Sequence, residues 1–245
     1  MIRIGNFIFH YRNGLFPLIY CLLIIQGPTL FGNYKTAAIV GFCVALLGQS
    51  IRAVTIGLDY IIRGGKDRRV YAERLVTGGI FNHCRNPLYL GNFIIVVGVA
   101  IAANSIIYMS IAIPFFIFAY AAIIAAEENF LRGKFGEEFN TYCRRVNRLL
   151  PNLSGLMTTL NGMTFNWRRL ISAEYGSTYI WLAAITLVTL RNLWAHGDYN
   201  PNNPLVWTLW SCLGFVSLAY CLARFLKKTG RLNPPPVLAP FPAAK

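Results

Sequence analysis

The chain alternates between long apolar runs and short basic connectors, and the run lengths set its class. Six stretches approach the roughly 20 residues that an α-helix needs to cross a bilayer: about 15–32, 37–62, 88–103, 105–126, 177–194 and 205–226. The third is short, and a tight turn at Asn104-Ser105 joining it to the fourth explains that. The pattern predicts an all-α integral membrane protein with about six transmembrane helices in three hairpins. Its parts are an N-terminal hairpin over 1–62, a core over 63–151 built on the hairpin 87–126, a connector over 152–176, a C-terminal hairpin over 177–227 and a Pro-rich tail over 228–245. Within Phe135–Pro151, Phe139, Tyr142, Val146 and Leu149 recur at three and four residues. That spacing predicts an amphipathic helix at the membrane surface. It serves there as an anchor, as a lid closing over the mouth of the hairpin, or as both. Gly78-Gly79 has no preceding strand and no third glycine at the needed spacing, which excludes a soluble-type dinucleotide domain.

Composition sharpens this. Hydrophobic residues make up 56% and charged residues 13%, against about 25% charged in soluble chains, and one small soluble domain cannot bury so much apolar surface. The net charge of +14 raises nucleic acid as a partner, but its distribution argues otherwise. Twenty of the 23 Lys and Arg fall in the N-terminus, the 63–85 and 132–169 segments and the tail after 223. With six spans those regions share one side, which the positive-inside rule makes cytoplasmic together with both termini. The basic residues thus report topology, with attraction to anionic headgroups as a second role. No nucleic acid and no protein partner is expected. The six cysteines form no CxxC pair, so neither a disulfide framework nor a zinc site is indicated. No cleavage pattern follows the first apolar run, which reads as a retained anchor.

Two polar outliers carry the candidate chemistry. "HCRNPLYLGNF" (83–93) precedes the third apolar run, and "AAEENF" (125–130) ends the fourth on Glu127 and Glu128. Measured from the turn near Asn104, Tyr89 and Glu127 lie roughly 22 and 34 Å along antiparallel helices at about 1.5 Å per residue. Both outliers therefore meet at one end of one hairpin. Asn86-Pro87 reads as an N-cap and first helical residue. Such a helix start suits a carboxylate or phosphate, and Arg85 adds a guanidinium fork beside it. Two carboxylates at a helix C-terminus oppose the macrodipole, so Glu127 and Glu128 predict a cationic ligand or several donors. An organic cation ranks above a metal, because no His, Asp or Glu partner stands at helical spacing. Inside the second run, Gln49, Arg52 and Asp59 share a face; an intramembrane Arg is a functional candidate, here for substrate or for pairing with Asp59. His10 and His196 read as surface residues. His83 lies near the site or is a loop histidine.

In order along the chain, "TGGIFNHCRNPLYLGN", "EENFL" and "FGEEFNTYCRRVNRLLP" resemble the superfamily of isoprenylcysteine carboxyl methyltransferases and phospholipid methyltransferases. The fit runs through Arg85, Asn86, Pro87, Tyr89, Gly91, Glu127, Glu128, Phe135, Gly136, Phe139, Tyr142, Val146, Arg148 and Pro151, covering roughly 75–151. The resemblance implies an all-helical membrane enzyme that binds S-adenosyl-L-methionine at the cytoplasmic end and takes its acceptor from the lipid. It assigns cofactor binding to Arg85, Asn86, Pro87, Tyr89, Leu90, Gly91, Glu127, Glu128, Tyr142 and Arg148. Arg85 and Glu128 position the reactants, and Arg52 and Gln49 are candidates for the acceptor. Asn86 stands where isoprenylcysteine enzymes usually carry His. Asn cannot take up a proton near neutrality, so no general base is assigned. A prenylcysteine-type carboxylate is the favoured acceptor, with a phospholipid amine and a small thiol as alternatives. A sterol-reductase-like enzyme binding NADPH is a further reading. The hairpin 177–226 has no counterpart in the resemblance.

Overall fold

In the computed structural model, which describes residues 1–58, 72 and 74–232, seven α-helices occur and no strand among the described residues. They are α1 (Ile2–Cys21, extended by a 3-10 turn Leu22–Ile24), α2 (Tyr34–Leu58), α3 (Pro87–Ala103), α4 (Ile106–Arg145), α5 (Leu156–Asn161), α6 (Trp167–Ala195) and α7 (Pro204–Lys228). Asp59, residues 63–71 and 73 of the basic 63–85 segment, and residues 233–245 of the Pro-rich tail fall outside the described residues.

The all-α membrane class holds, with changes in the spans. Four stretches are long and apolar enough to cross a membrane: Ile2–Ile24, Tyr34–Leu58, Ile106–Arg145 and Pro204–Lys228. α3 is apolar but has only 17 residues, and α6 has the length, 29 residues, but carries Arg168, Arg169, Glu174 and Arg191. The first span begins at Ile2, not near 15. Polar Arg3, Asn6, His10, Arg12 and Asn13 dilute its first half, although Gly5, Ile8 and Phe9 are buried there.

Pairing also departs from three simple hairpins. α1 packs chiefly on α4, and α2 chiefly on α3, so the first two helices are neighbours in sequence more than in space. Small residues explain both choices. A Cβ on Gly5 would lie 2.0 Å from the Ala122 carbonyl oxygen, and one on Gly48 would lie 2.6 Å from that of Gly91. Gly41 and Gly98 are equally tight across the same α2–α3 seam. This is the small-residue packing by which helix backbones approach in membranes. α6 packs against both α2 and α3, and α7 packs on α6.

The turn at Asn104-Ser105 forms as expected. Asn104 takes the left-handed conformation (φ 52°) that ends α3, and Ser105 caps α4 by accepting from Tyr108 N–H at 3.3 Å. The expectation for the far end of α4 is corrected. α4 does not stop at Glu127-Glu128 but runs on to Arg145, bent at Gly136 (φ 53°, ψ −121°). The predicted surface helix is the part beyond this bend. Its Phe139, Tyr142 and Val146 are buried against Leu75, Leu131 and Phe135, while Leu149 is exposed.

Candidate active site

Residues 147–152 fold back from the end of α4 onto the loop before α3. Arg85 N–H donates to Asn147 O (3.0 Å) and Asn152 N–H to His83 O (2.9 Å). The Cys84 thiol, pushed up by burial and so held protonated, donates to Leu149 O (3.4 Å). His83 is buried, with Nδ1 2.7 Å from Asn152 O and Nε2 2.8 Å from Thr159 Oγ1. It is a latch for the strap 147–159, a role the sequence reading did not give it. Asn86 occupies the cap position of α3, but its side chain makes no cap bond. Its Nδ2 donates instead to Arg148 O at 3.1 Å. The first amides of α3 are thus left without a side-chain cap, beside a helix start that favours negative charge.

The two adjacent glutamates have different surroundings. Glu128 is buried and engaged twice: Arg85 reaches it at 3.2 Å, and Arg148 approaches both of its oxygens, with Nε at 3.1 Å. Buried carboxylates need such pairing, and this one ties the loop before α3 to the strap. Among the described residues Arg85 Nε is buried without a hydrogen-bond partner. Glu127 accepts the Tyr89 hydroxyl at 2.7 Å and lies within electrostatic reach of Arg12. Because both acids sit within α4, the argument from an opposed helix end does not apply to them. The Tyr142 hydroxyl donates to Phe81 O at 2.6 Å, which leaves its ring as the part that faces the site.

One cavity of about 1670 Å³ takes in Arg52, Arg85, Asn86, Pro87, Tyr89, Glu127, Glu128 and Tyr142. Gln49, Leu90, Gly91 and Arg148 are not in its lining and act from behind it. Gly91 is required by its neighbour, since a Cβ there would lie 2.6 Å from Arg52 Cγ. The volume exceeds the 300–1,000 Å³ of a single small-molecule pocket, enough for two reactants side by side. From the cluster of charged groups the cavity continues between α1 and α6 along Phe16, Tyr20, Ile180, Ala184 and Leu187.

Arg52 is 1% exposed and pairs with Glu174 of α6, itself 3% exposed. Nε and Nη2 of Arg52 reach the two carboxylate oxygens at 2.8 and 2.7 Å. Gln49 Nε2 also donates to Glu174 (3.1 Å) and its Oε1 accepts Trp181 Nε1–H (3.0 Å). On the other side Arg52 contacts Asn92 and Leu88 O, in the first turns of α3. Glu174 and Asn92 were not anticipated. The signal for Glu174 was available, an acid within an apolar stretch, but the expected span began three residues after it.

Residues 37–138 match the family described as phospholipid methyltransferase. The family lies in the same superfamily of integral-membrane methyltransferases as the isoprenylcysteine enzymes, and it implies methyl transfer to lipid-type acceptors. The phospholipid methyltransferase stretch holds all but the first three residues of α2, all of α3, Arg52, Arg85 to Gly91 and the glutamate pair. α1, Tyr142, Arg148 and the α6–α7 hairpin lie outside it. The chain is 26% identical over 151 residues to the nickel-cobalt-cadmium resistance protein NccN of Alcaligenes xylosoxydans xylosoxydans, covering 62% of this chain and 70% of that protein. It is 27% identical over 156 residues to the cobalt-zinc-cadmium resistance protein CzcN of Cupriavidus metallidurans, covering 62% and 68%. No solved structure matches. Among the described residues no group of three or more His, Cys, Asp or Glu converges as a metal site would.

Proposed function

We propose that the protein transfers a methyl group from S-adenosyl-L-methionine to a lipophilic or lipid-linked acceptor at the cytoplasmic face of a membrane. The observation that carries this is the two-part cavity: a charged end built on the phospholipid methyltransferase stretch, continuous with an apolar slot between helices. The charged end fits the cofactor. The buried, partnerless Nε of Arg85 and the uncapped start of α3 suit its carboxylate. Glu127 suits its ammonium or ribose hydroxyls, while Glu128, already held by two arginines, fixes Arg85 in position. The rings of Tyr89 and Tyr142 offer π-faces to a sulfonium.

When bound, S-adenosylmethionine supplies a methyl group on a sulfonium that is already a good leaving group. The protein's task is therefore to align the acceptor and exclude water. The strap 147–159 does the second, covering the start of α3 through its bonds to His83, Cys84, Arg85 and Asn86. An acceptor that is already anionic needs no base, which favours a carboxylate of the prenylcysteine type over a phospholipid amine or a small thiol. The cationic Lys and Arg distribution supports a cytoplasmic position for the site and both termini.

The test is calorimetry on detergent-purified protein, with S-adenosylhomocysteine and NADPH titrated separately. Binding of S-adenosylhomocysteine alone is expected. Binding of NADPH alone would replace this reading with a reductase, and binding of neither would remove the cofactor site.

A further inference from the structure

The family match stops at residue 138 and gives no role to α6 and α7. One face of α6 lines the cavity throughout, and its character changes along the helix. Arg169 and Ser172 stand at the end near the charged site, followed by Ile180, Ala184 and Leu187. Lys227, from the last turn of α7, is folded across onto α6, where Nζ donates to Ser172 O at 2.7 Å. That bond and the Tyr175 ring, whose centroid lies 5.3 Å from Nζ, fix Lys227 in place, and an ammonium with three N–H donors keeps donors for a ligand. Lys227 is exposed, also lines the cavity, and among the described residues has no carboxylate within ion-pair distance. At the other end the walls are drawn together, where Arg191 of α6 donates to the carbonyls of Leu23 and Ile25 after α1.

The dimensions match a lipid in its own leaflet. Ser172 to Leu187 is 15 residues of helix, about 22 Å at 1.5 Å per residue. One leaflet, from headgroup region to midplane, is also roughly 20–22 Å. We propose that the α6–α7 hairpin builds the acceptor side of the site: a slot for one lipid of the adjoining leaflet, with its anionic headgroup on Lys227 and its chain along Ile180 to Leu187. This deepens the methyltransferase reading and rests on it for what the lipid is there to do. Occupancy of the slot can be measured without any methyl transfer.

Trp181 lines the same cavity and is buried, which makes it a reporter. In a variant with Trp167, Trp194, Trp207 and Trp210 changed to Phe, reconstituted in phosphatidylcholine vesicles, Trp181 emission is titrated with chain-brominated phosphatidic acid or chain-brominated phosphatidylcholine. Half-maximal quenching is expected at about a fivefold lower mole fraction of the anionic lipid, the size of one favourable Lys contact near a membrane. Lys227→Gln should erase that preference and Lys227→Arg should keep it. Equal quenching by both lipids, or a preference that survives Lys227→Gln, would overturn the proposal. So would loss of the preference on adding millimolar inorganic phosphate, which would assign the lysine to a free anion. Should the four-Trp variant not fold, native mass spectrometry of wild type and Lys227→Gln gives the same decision from the anionic lipid each retains. Binding of S-adenosylhomocysteine, followed in the same samples, separates the two claims: lipid binding without it sinks the methyltransferase reading alone.

Discussion

Replacing Glu174 by Gln should be among the most damaging single changes in the protein, although Glu174 lies outside the phospholipid methyltransferase stretch. The carboxylate accepts from Arg52 at 2.7 and 2.8 Å, from Gln49 at 3.1 Å and from Ser177 at 3.2 Å. Gln keeps the shape but removes the charge, and turns one acceptor into an NH₂ facing a guanidinium. Arg52, 1% exposed, would then be a buried and uncompensated cation. Breaking a buried pair from one side costs about 3–5 kcal/mol. At roughly 2–4 °C per kcal/mol for a chain of this size, the unfolding midpoint should fall by about 6–20 °C. The assay is thermal unfolding in one detergent at a fixed scan rate, for Glu174→Gln, Arg52→Met and the double variant. Because removing both charges leaves no orphan, the double variant should be no less stable than the worse single one, a non-additivity typical of groups in contact. Costs that add, or a loss below about 1 kcal/mol for Glu174→Gln, would refute the claim that the pair acts as a buried unit.

Other changes separate roles within the site. Glu127→Gln should weaken S-adenosylhomocysteine binding by about 1.5–3 kcal/mol, the worth of a charge-assisted hydrogen bond, without moving the unfolding midpoint. Glu128→Gln should weaken binding and also lower the midpoint, because it releases Arg85 and Arg148 together; equal behaviour of the two variants in both measurements would undo that division. His83→Ala should loosen the strap, read as faster amide exchange over 147–159 with helices α2 to α4 unchanged, and cost about 1–3 kcal/mol for the buried partners it leaves. Cysteines introduced near Gly155 and Gly230 should react with an impermeant reagent only from the cytoplasmic side, and one near Asp198 only from the other; labelling of 155 and 230 from opposite sides would break the topology.

What the sequence made legible depended on whether the cause was local. The turn at Asn104-Ser105 was legible because one Asn and one Ser suffice to end α3 and start α4, and it fixed the meeting of residues 83–93 with the glutamates by helix rise alone. The bend in α4 was not. Gly136 permits it, but the helix continues past Glu128 in concert with the packing of Phe139, Tyr142 and Val146 against Leu75 and Leu131, a non-local contact. Asn86 was read as a cap from its neighbour Pro87, yet its amide is drawn to Arg148 O, 62 residues away. Arg52 was singled out as a charge that needs a reason, while its partner in the structure lies 122 residues further on, on a hairpin the resemblance does not reach. In an apolar segment a lone charge implies a partner or a ligand. The isolated acids and bases of different runs therefore constrain one another: Arg52 and Glu174 are the only pair joining α2 to α6 by opposite charge among the described residues. Matching such residues across runs would have joined the added hairpin to the core before any coordinates, since neither charge is easily tolerated there alone.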